Sequence, residues 1–306
     1  MIKIFLWLAS YFPQRLIKKS PRLVARKVWI VATNLRTQLR IFQVLSRPGF
    51  EEFFQRFPSV AYKHTEPDDM ALSFTAGMRA SSHLHHYSFL QAHLSPSSLC
   101  RLLNHEIRLF EMSEQGHVFA IDMAAALHGY YEGELCLNFF ADGVEIFVTS
   151  FTFVRGSVVG SPAQHAILIS RIQGERGAQP IIGMATRALL GVCPQALLLS
   201  ALEGIARALG IAEVVCVSAA NQPTYTTELH STFVQKYDEF FESWGATFAS
   251  PGFYTLPVPF PQKPLQEIKL SHRQRTRKRR ALKSLVAERA SLALLPALID
   301  CPSPSS

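Results

Sequence analysis

Between Glu134 and Val154 the chain reads ELCLNFFADGVEIFVTSFTFV. Two strand-like runs, Glu134–Phe140 and Val144–Val154, flank Asp142-Gly143, a pair suited to the positive φ angles of a tight hairpin. The two runs are therefore expected to pair antiparallel. Strand patterns continue on both sides, at Val118–Met123 and Ala166–Gln173. Helical patterns follow at about Ile181–Leu190 and Pro194–Leu209, and Gly210 stops the second ahead of a last strand, Glu213–Val217. An antiparallel meander with packed helices and a returning strand predicts an α+β layer rather than a doubly wound sheet.

Upstream, Ser95-Pro96 opens a helix with Ser as N-cap and Pro at the first helical position, and Leu99, Leu102, Leu103, Ile107 and Phe110 are expected on its buried face. Tyr62–Met78 is polar and turn-rich. From Leu23 to Leu45 the apolar residues Val24, Val28, Val31, Leu35, Leu39, Phe42 and Leu45 recur at helical spacing, with Arg22, Arg26, Arg36 and Arg40 opposite and Trp29 beside them. Such a basic amphipathic helix either docks on its own domain with its arginines in water or lies in a lipid interface with Trp as an anchor. At the other end, a proline-rich connector leads to SHRQRTRKRR (271–280) and an apolar terminal helix. The chain thus divides into a basic helical extension (1–60), an α+β core (61–260) and a connector with an Arg-rich helix (261–306).

The 306 residues carry a net charge of +8, with 48% hydrophobic and 18% charged residues, which excludes a disordered, collagen-like or coiled-coil chain. The charge is unevenly placed. Residues 1–50 hold ten basic residues and no acidic one, and 261–306 hold ten basic and three acidic, so an acidic middle of net −9 lies between ends of +10 and +7. A polyanion should therefore meet the ends: an anionic membrane surface, RNA, or the acidic middle itself. The run 273–280 lacks an aromatic residue to stack on a base, so RNA contact there would be nonspecific and salt-dependent.

Five scattered cysteines without a C-x-x-C pair suit a reducing compartment. Met1–Phe12 is a short apolar run like part of a signal segment, but lacks a convincing small-residue cleavage site. Ala196–Val217 is interrupted by Glu203, Arg207 and Glu213 and reads as a buried helix and strand, not a membrane span. The expected location is the cytoplasm, at the periphery of the inner membrane.

Eight features occur in an order that resembles the VirK/YbjX proteins of Gram-negative bacteria. They are His86-Tyr87, Glu132-Gly133-Glu134-Leu135, Ile172-Gln173-Gly174, Thr186-Arg187-Ala188-Leu189-Leu190-Gly191, Val217-Ser218, Tyr237-Asp238-x-Phe240, Gly252-Phe253-Tyr254-x-Leu256-Pro257 and the Arg-rich element at 273–280. The resemblance covers about residues 40 to 290. It implies a bacterial protein linked to virulence, envelope integrity and resistance to cationic peptides, with no established biochemical activity. Where that family usually reads Gly-Leu-Arg-Pro-Lys, this chain has Gly191-Val192-Cys193-Pro194-Gln195 and lacks both cations.

Two chemistries lack their motifs: there is no G-x-S-x-G elbow and no G-x-x-x-x-G-K-[ST] loop. His83, His85 and His86, with His105 or Glu106, match no metal-ligand spacing, so no metal is assigned and the histidine-rich stretch reads as a polar helix surface. The sharpest enzyme reading is acyl transfer on an acetyltransferase-like fold, from an acyl-coenzyme A or acyl-carrier donor. Arg171-Ile172-Gln173-Gly174-Glu175-Arg176 joins a strand to a helix and partly matches that fold's R/Q-x-x-G-x-G/A pyrophosphate loop, although Arg176 stands where Gly or Ala is expected. Gln173, Gly174 and Gly177 are the candidate donor-binding residues, and Glu132 or His86 the candidate general base. An ordinary strand-to-helix turn explains the same glycine. For an anionic surface the candidates are Arg22, Arg26, Arg36, Arg40, Arg273, Arg275, Arg277, Lys278, Arg279 and Arg280.

Overall fold

A computed structural model describes residues 21–67, 69–127 and 132–299; Met1–Phe12 and Cys301 lie outside them. In chain order the elements are helices α1 (Pro21–Thr33), α2 (Leu35–Leu45) and α3 (Glu51–Arg56), a 3-10 segment at Pro58–Thr65, and helices α4 (Ala76–His93) and α5 (Pro96–Asn104). Strands β1 (Ile107–Glu114), β2 (His117–Ala125), β3 (Leu135–Ala141), β4 (Val144–Arg155) and β5 (His165–Gly174) follow, then helices α6 (Gln179–Ala188) and α7 (Pro194–Ala208). The chain closes with β6 (Glu213–Val217), short helices α8 (His230–Lys236) and α9 (Asp238–Ser243), strands β7 (Thr247–Ser250) and β8 (Phe253–Pro257), and the long helix α10 (Leu270–Leu294).

The described strands form one eight-stranded sheet in the order β1-β2-β3-β4-β5-β6-β8-β7. This is the expected α+β class. Asp142 and Gly143 take φ of 52° and 77° and turn β3 antiparallel onto β4. The parallel pair is β5 with β6, matched from Ile167↔Val214 to Ile169↔Cys216, so that β5 continues to Gly174 after β6 has ended. Alternation along β3 sends Leu135, Leu137 and Phe139 into the main core and Cys136 to the other face, where it meets Ala126 and Val148.

Helices α2, α4, α5, α7 and α10 contribute to that main core: Ile41, Phe42 and Leu45 from α2 and Leu282, Val286, Ala290 and Leu294 from α10 belong to the same cluster as the sheet's inner face. Helices α7 and α10 touch backbone to backbone, since a Cβ on Gly204 would lie 2.1 Å from the Ala287 carbonyl oxygen. On the opposite face, Met70, Ala71 and Phe74 cover Val154, Leu168, Val215 and Val217.

Four local expectations differ. The helix over Leu23–Leu45 is interrupted at Asn34, whose φ of −114° and ψ of 25° leave the helical region, and the Thr33 hydroxyl and the Asn34 side-chain amide there donate back to the Ile30 carbonyl. The buried side of the pair is Ile30, Gln38, Ile41, Phe42, Val44 and Leu45, while Val28, Leu35 and Leu39 are exposed. Ile107 and Phe110 are on β1 rather than on the helix capped by Ser95, which ends at Asn104. The polar stretch 62–78 is largely interior: Lys63, His64, Thr65, Asp69, Met70, Ala71 and Phe74 are buried. The histidine-rich helix is likewise no polar surface, for His83, His85 and His86 are buried, His83 and His86 almost completely.

Candidate functional site

The start of β3 carries two glutamates that part company. The Glu134 amide donates to the Phe151 carbonyl and to the Thr152 hydroxyl, each at 3.1 Å, and the Ser170 hydroxyl donates to the Glu132 carbonyl. With the backbone held there, Glu134 turns inward and Glu132 faces a groove.

Inward, Glu134 joins a buried ion network. Its Oε1 lies 3.3 Å from Lys63 Nζ and 3.1 Å from His83 Nδ1, and its Oε2 accepts from the Tyr87 hydroxyl. His83 Nε2 is 2.7 Å from Asp69 Oδ2, so one imidazole bridges two carboxylates. Lys63 also donates to the Gly133 carbonyl. Burial works against ionisation of Glu134, but His83 and Lys63 overcome it and hold the carboxyl at about 2. His83 is raised: burial opposes its charge, and Glu134 and Asp69 outweigh burial. Asp69 is raised by burial against the pull of His83.

Asp69, His83 and Glu134 could by residue type hold a metal ion, their donor atoms lying within 4.8 Å of one another. The network argues for another arrangement. Both nitrogens of His83 already face carboxylates, and the Lys63 ammonium supplies the positive charge beside Glu134. A metal at Nε2 would have to open the contact to Asp69.

Outward, Glu132 lines a groove of about 930 Å³ with His105, Glu106, Asn138, Arg171 and Glu175. Arg171 Nη1 lies 2.9 Å from Glu132 Oε2. Burial raises the Glu132 carboxyl, and Arg171 only partly offsets that. Tyr237, buried at the end of α8, makes a hydrogen bond with the Ile172 backbone; burial and then the Glu132 charge push its hydroxyl up to about 12. Cys136 in the groove is likewise pushed up to about 12 by burial, which keeps it a thiol.

His86 is elsewhere. It is completely buried, stacked on Phe153, and its Nδ1 accepts from the Phe153 amide at 3.2 Å; burial lowers it to about 3. Gly174 is pressed against the Phe147 ring and Ile182, where a Cβ would come within 3.2 Å of the ring and 3.0 Å of the Ile182 methyl. The Glu175 amide donates to Ile146 and the Ala178 amide to Glu175, so two amides of the loop are used inside the turn. Gly177 has φ of +83° and open space at its Cα, and Gln173 accepts from Arg171 Nε at 3.2 Å.

The predicted cations are sorted by the fold. Arg22, Arg26, Arg36 and Arg40 are exposed along α1 and α2 beside Trp29, which is 70% exposed. On α10, Arg275, Arg277 and Lys278 are exposed and Arg273, Arg279 and Arg280 are half-buried. Lys63 and Asp69 are functional-looking residues that the motifs did not single out, because they lie in a stretch whose polarity imitates a surface turn; Tyr237 stands in the Tyr237-Asp238-x-Phe240 motif, but its place near Glu132 and Ile172 arises only through the tertiary fold.

A comparison with known families places this geometry. The profile of a protein family of unknown function, DUF535, matches residues 14–290. The chain belongs to this family. DUF535 is the VirK/YbjX family, so the resemblance read from the sequence motifs is correct. No curated protein and no solved structure matches the chain. No described helix is long and apolar enough to cross a membrane.

Proposed function

We propose that the chain is an acyltransferase of the bacterial envelope, acting in the groove beside Glu132. The observation that supports this reading is the topology around β5. An antiparallel strand leads through a glycine turn into helices α6 and α7, and the chain then returns as β6 parallel to that strand, an order compatible with part of an acetyltransferase-like layout. Because β6 ends first, the far part of β5 has no strand beside it on that side among the described residues, and away from Ile172, whose backbone Tyr237 already bonds, the amide-bearing arm of an acyl donor could pair there as an added strand does.

In this reading Glu132 takes a proton from the acceptor's amine or hydroxyl, and its burial-raised carboxylate is a stronger base than a solvated one. The freed nucleophile attacks the donor thioester; its bond to the acyl carbon forms, the carbon–sulfur bond breaks, and the thiolate leaves. The used amides of Glu175 and Ala178 favour a donor held mainly along the β5 edge rather than by a full pyrophosphate cradle. Calorimetric titration with acetyl-coenzyme A, long-chain acyl-coenzyme A and acylated carrier protein tests the reading. Binding of at least one donor, with transfer lost by about a hundredfold or more in Glu132→Gln, is the expected result; if none of the three binds, the reading is wrong.

A second reading is supported by α1 and α2. Their exposed side carries Val28, Trp29, Leu35 and Leu39 next to the four arginines, an arrangement suited to the interface of an anionic membrane. Each cation near such a surface adds about 1 kcal/mol, enough in sum for reversible attachment. Attachment there would bring the groove to lipid-linked acceptors and give the family its link to envelope homeostasis, cationic-peptide resistance and virulence. Co-sedimentation with vesicles containing phosphatidylglycerol should fall sharply in Trp29→Ser/Leu35→Ser; equal binding by wild type and variant would remove the anchor.

A further inference from the structure

The Arg-rich run is a single charged block in the sequence, yet helical spacing divides its members. Arg273 folds back to donate to the Ile268 and Gln266 carbonyls at 2.9 and 3.0 Å, and Arg280 donates to the Lys263 carbonyl. These two cations tie the proline-rich connector to α10. Arg275, Lys278 and Arg279, three and four positions apart, share a different face. They meet Arg187 from the last turn of α6 across a cleft of about 610 Å³, closed by Thr186, Leu190 and Gly191.

Three observations make this cleft more than a solvated helix face. Among the described residues, none of the four cations forms an ion pair with a carboxylate. Arg279 is held in place, its Nε donating to the Leu190 carbonyl at 2.9 Å. Both guanidinium groups also converge on the Gly191 turn: at this residue, whose φ is +76°, a Cβ would lie 2.3 Å from an Arg279 nitrogen and 2.9 Å from an Arg275 nitrogen. Like charges converging in a cavity repel one another and are relieved by a polyanion, and forked guanidinium donors match the oxygens of a phosphate. Cys193 and Gln195, which stand where relatives of the resembled family carry cations, therefore do not leave this region without positive charge.

We propose that the α6–α10 cleft binds the phosphate of a phosphate-bearing organic ligand. Arg187, Arg275, Lys278 and Arg279 hold the anion. The cleft exceeds a bare phosphate, and Leu190, 42% exposed on its wall, meets the apolar part of the ligand. The site shares no lining residue with the Glu132 groove and goes beyond the proposed acyl transfer.

The test uses the full chain with two sets of probes: sn-glycerol 3-phosphate and pyrophosphate in calorimetry, and phosphatidylcholine vesicles with and without phosphatidic acid in flotation. A soluble phosphoester as natural ligand predicts calorimetric binding that weakens about tenfold or more in Arg275→Gln/Lys278→Gln and stays within about twofold in Arg289→Gln, which changes an exposed charge on the same helix outside the cleft. A lipid headgroup predicts silence in calorimetry and phosphatidic-acid-dependent flotation lost in the same double variant. If that variant does not fold, Arg187→Gln on the opposite wall replaces it. Absence of binding to every probe overturns the proposal, and so does an Arg289→Gln loss as large as that of the cleft variants, which would mean diffuse surface charge. Acyl-donor binding in the double variant separates this outcome from failure of the acyltransferase reading.

Discussion

Glu132 and Glu134 are separated by one glycine, yet they occupy opposite electrostatic regimes. Glu134 is buried and its carboxyl is nevertheless held down at about 2, because His83, Lys63 and Tyr87 surround it. Glu132 retains contact with the groove and is pushed the other way, since burial there is answered mainly by Arg171. Burial alone does not set the ionisation of a carboxylate; the number of cationic and donor partners within reach decides it. The first arrangement locks helix α4 and the 3-10 segment onto β3. The second leaves a carboxylate whose proton can be exchanged with a ligand.

The largest expected effect comes from breaking the inner network. Lys63→Met leaves Glu134 buried with one cation fewer, and removal of one partner from a buried pair typically costs about 3–5 kcal/mol. Urea unfolding should show this loss as a fall in midpoint. A Lys63→Met variant as stable as wild type would mean that His83 alone balances Glu134, and the contrast between the two glutamates would shrink.

The pH dependence of stability sharpens the same contrast. His64 and His86 are buried and lowered from 6.5 to about 3, so the stability they contribute is full above pH 6.5 and is lost as pH falls towards 3. Glu134, lowered from 4.5 to about 2, contributes stability present above pH 4.5 and lost as pH falls through 2. His83 runs the other way: raised, it contributes fully below pH 6.5 and loses its contribution as pH rises through its folded value. Stability should therefore begin to fall just below pH 6.5, by up to about 1.4 kcal/mol per pH unit for each histidine kept neutral. His64→Phe should flatten that limb whatever it does to stability at neutral pH. A curve level down to pH 4.5 in the wild type would contradict the neutral, buried state of both histidines.

How much of this was legible in the sequence follows the range of the interactions. Asp142-Gly143 fixes the hairpin through its own φ preferences, and Pro194 and Gly210 bound α7 locally, so the meander, the two helices and β6 could be read residue by residue. The break at Asn34 is a local change of backbone angles, with side chains bonding one turn back, that hydrophobic spacing does not register. The His83–Asp69 and Tyr87–Glu134 contacts join residues 14 and 47 positions apart, and nothing in the polar composition of 62–78 announces that it will be enclosed. Of the candidate site, Glu132 was legible from its place beside Gly133 and Glu134 before a strand. Its partnership with Arg171 depends on β5 lying next to β4 with an irregular register between Ser150 and Phe151, and so required the fold.

The smallest expected effect on stability is also the sharpest test of the comparison. Glu132 and Arg171 form a partly exposed pair at the groove wall, their side chains 15% and 16% accessible, and such pairs contribute about 0–1 kcal/mol. Glu132→Gln keeps the side chain's shape and removes only its charge and its capacity to accept a proton. Its urea midpoint should therefore stay close to wild type, whereas Glu134→Gln, which strands Lys63 and His83 beside a neutral amide, should lower it clearly. If Glu132→Gln is as destabilising as Glu134→Gln, the outer carboxylate belongs to the same structural network as the inner one, and a role for it as a base loses its physical ground. If it is neutral to folding but abolishes transfer from a bound acyl donor, the two glutamates divide stability and chemistry between them, because a residue that holds the fold cannot also give up its charge during a reaction.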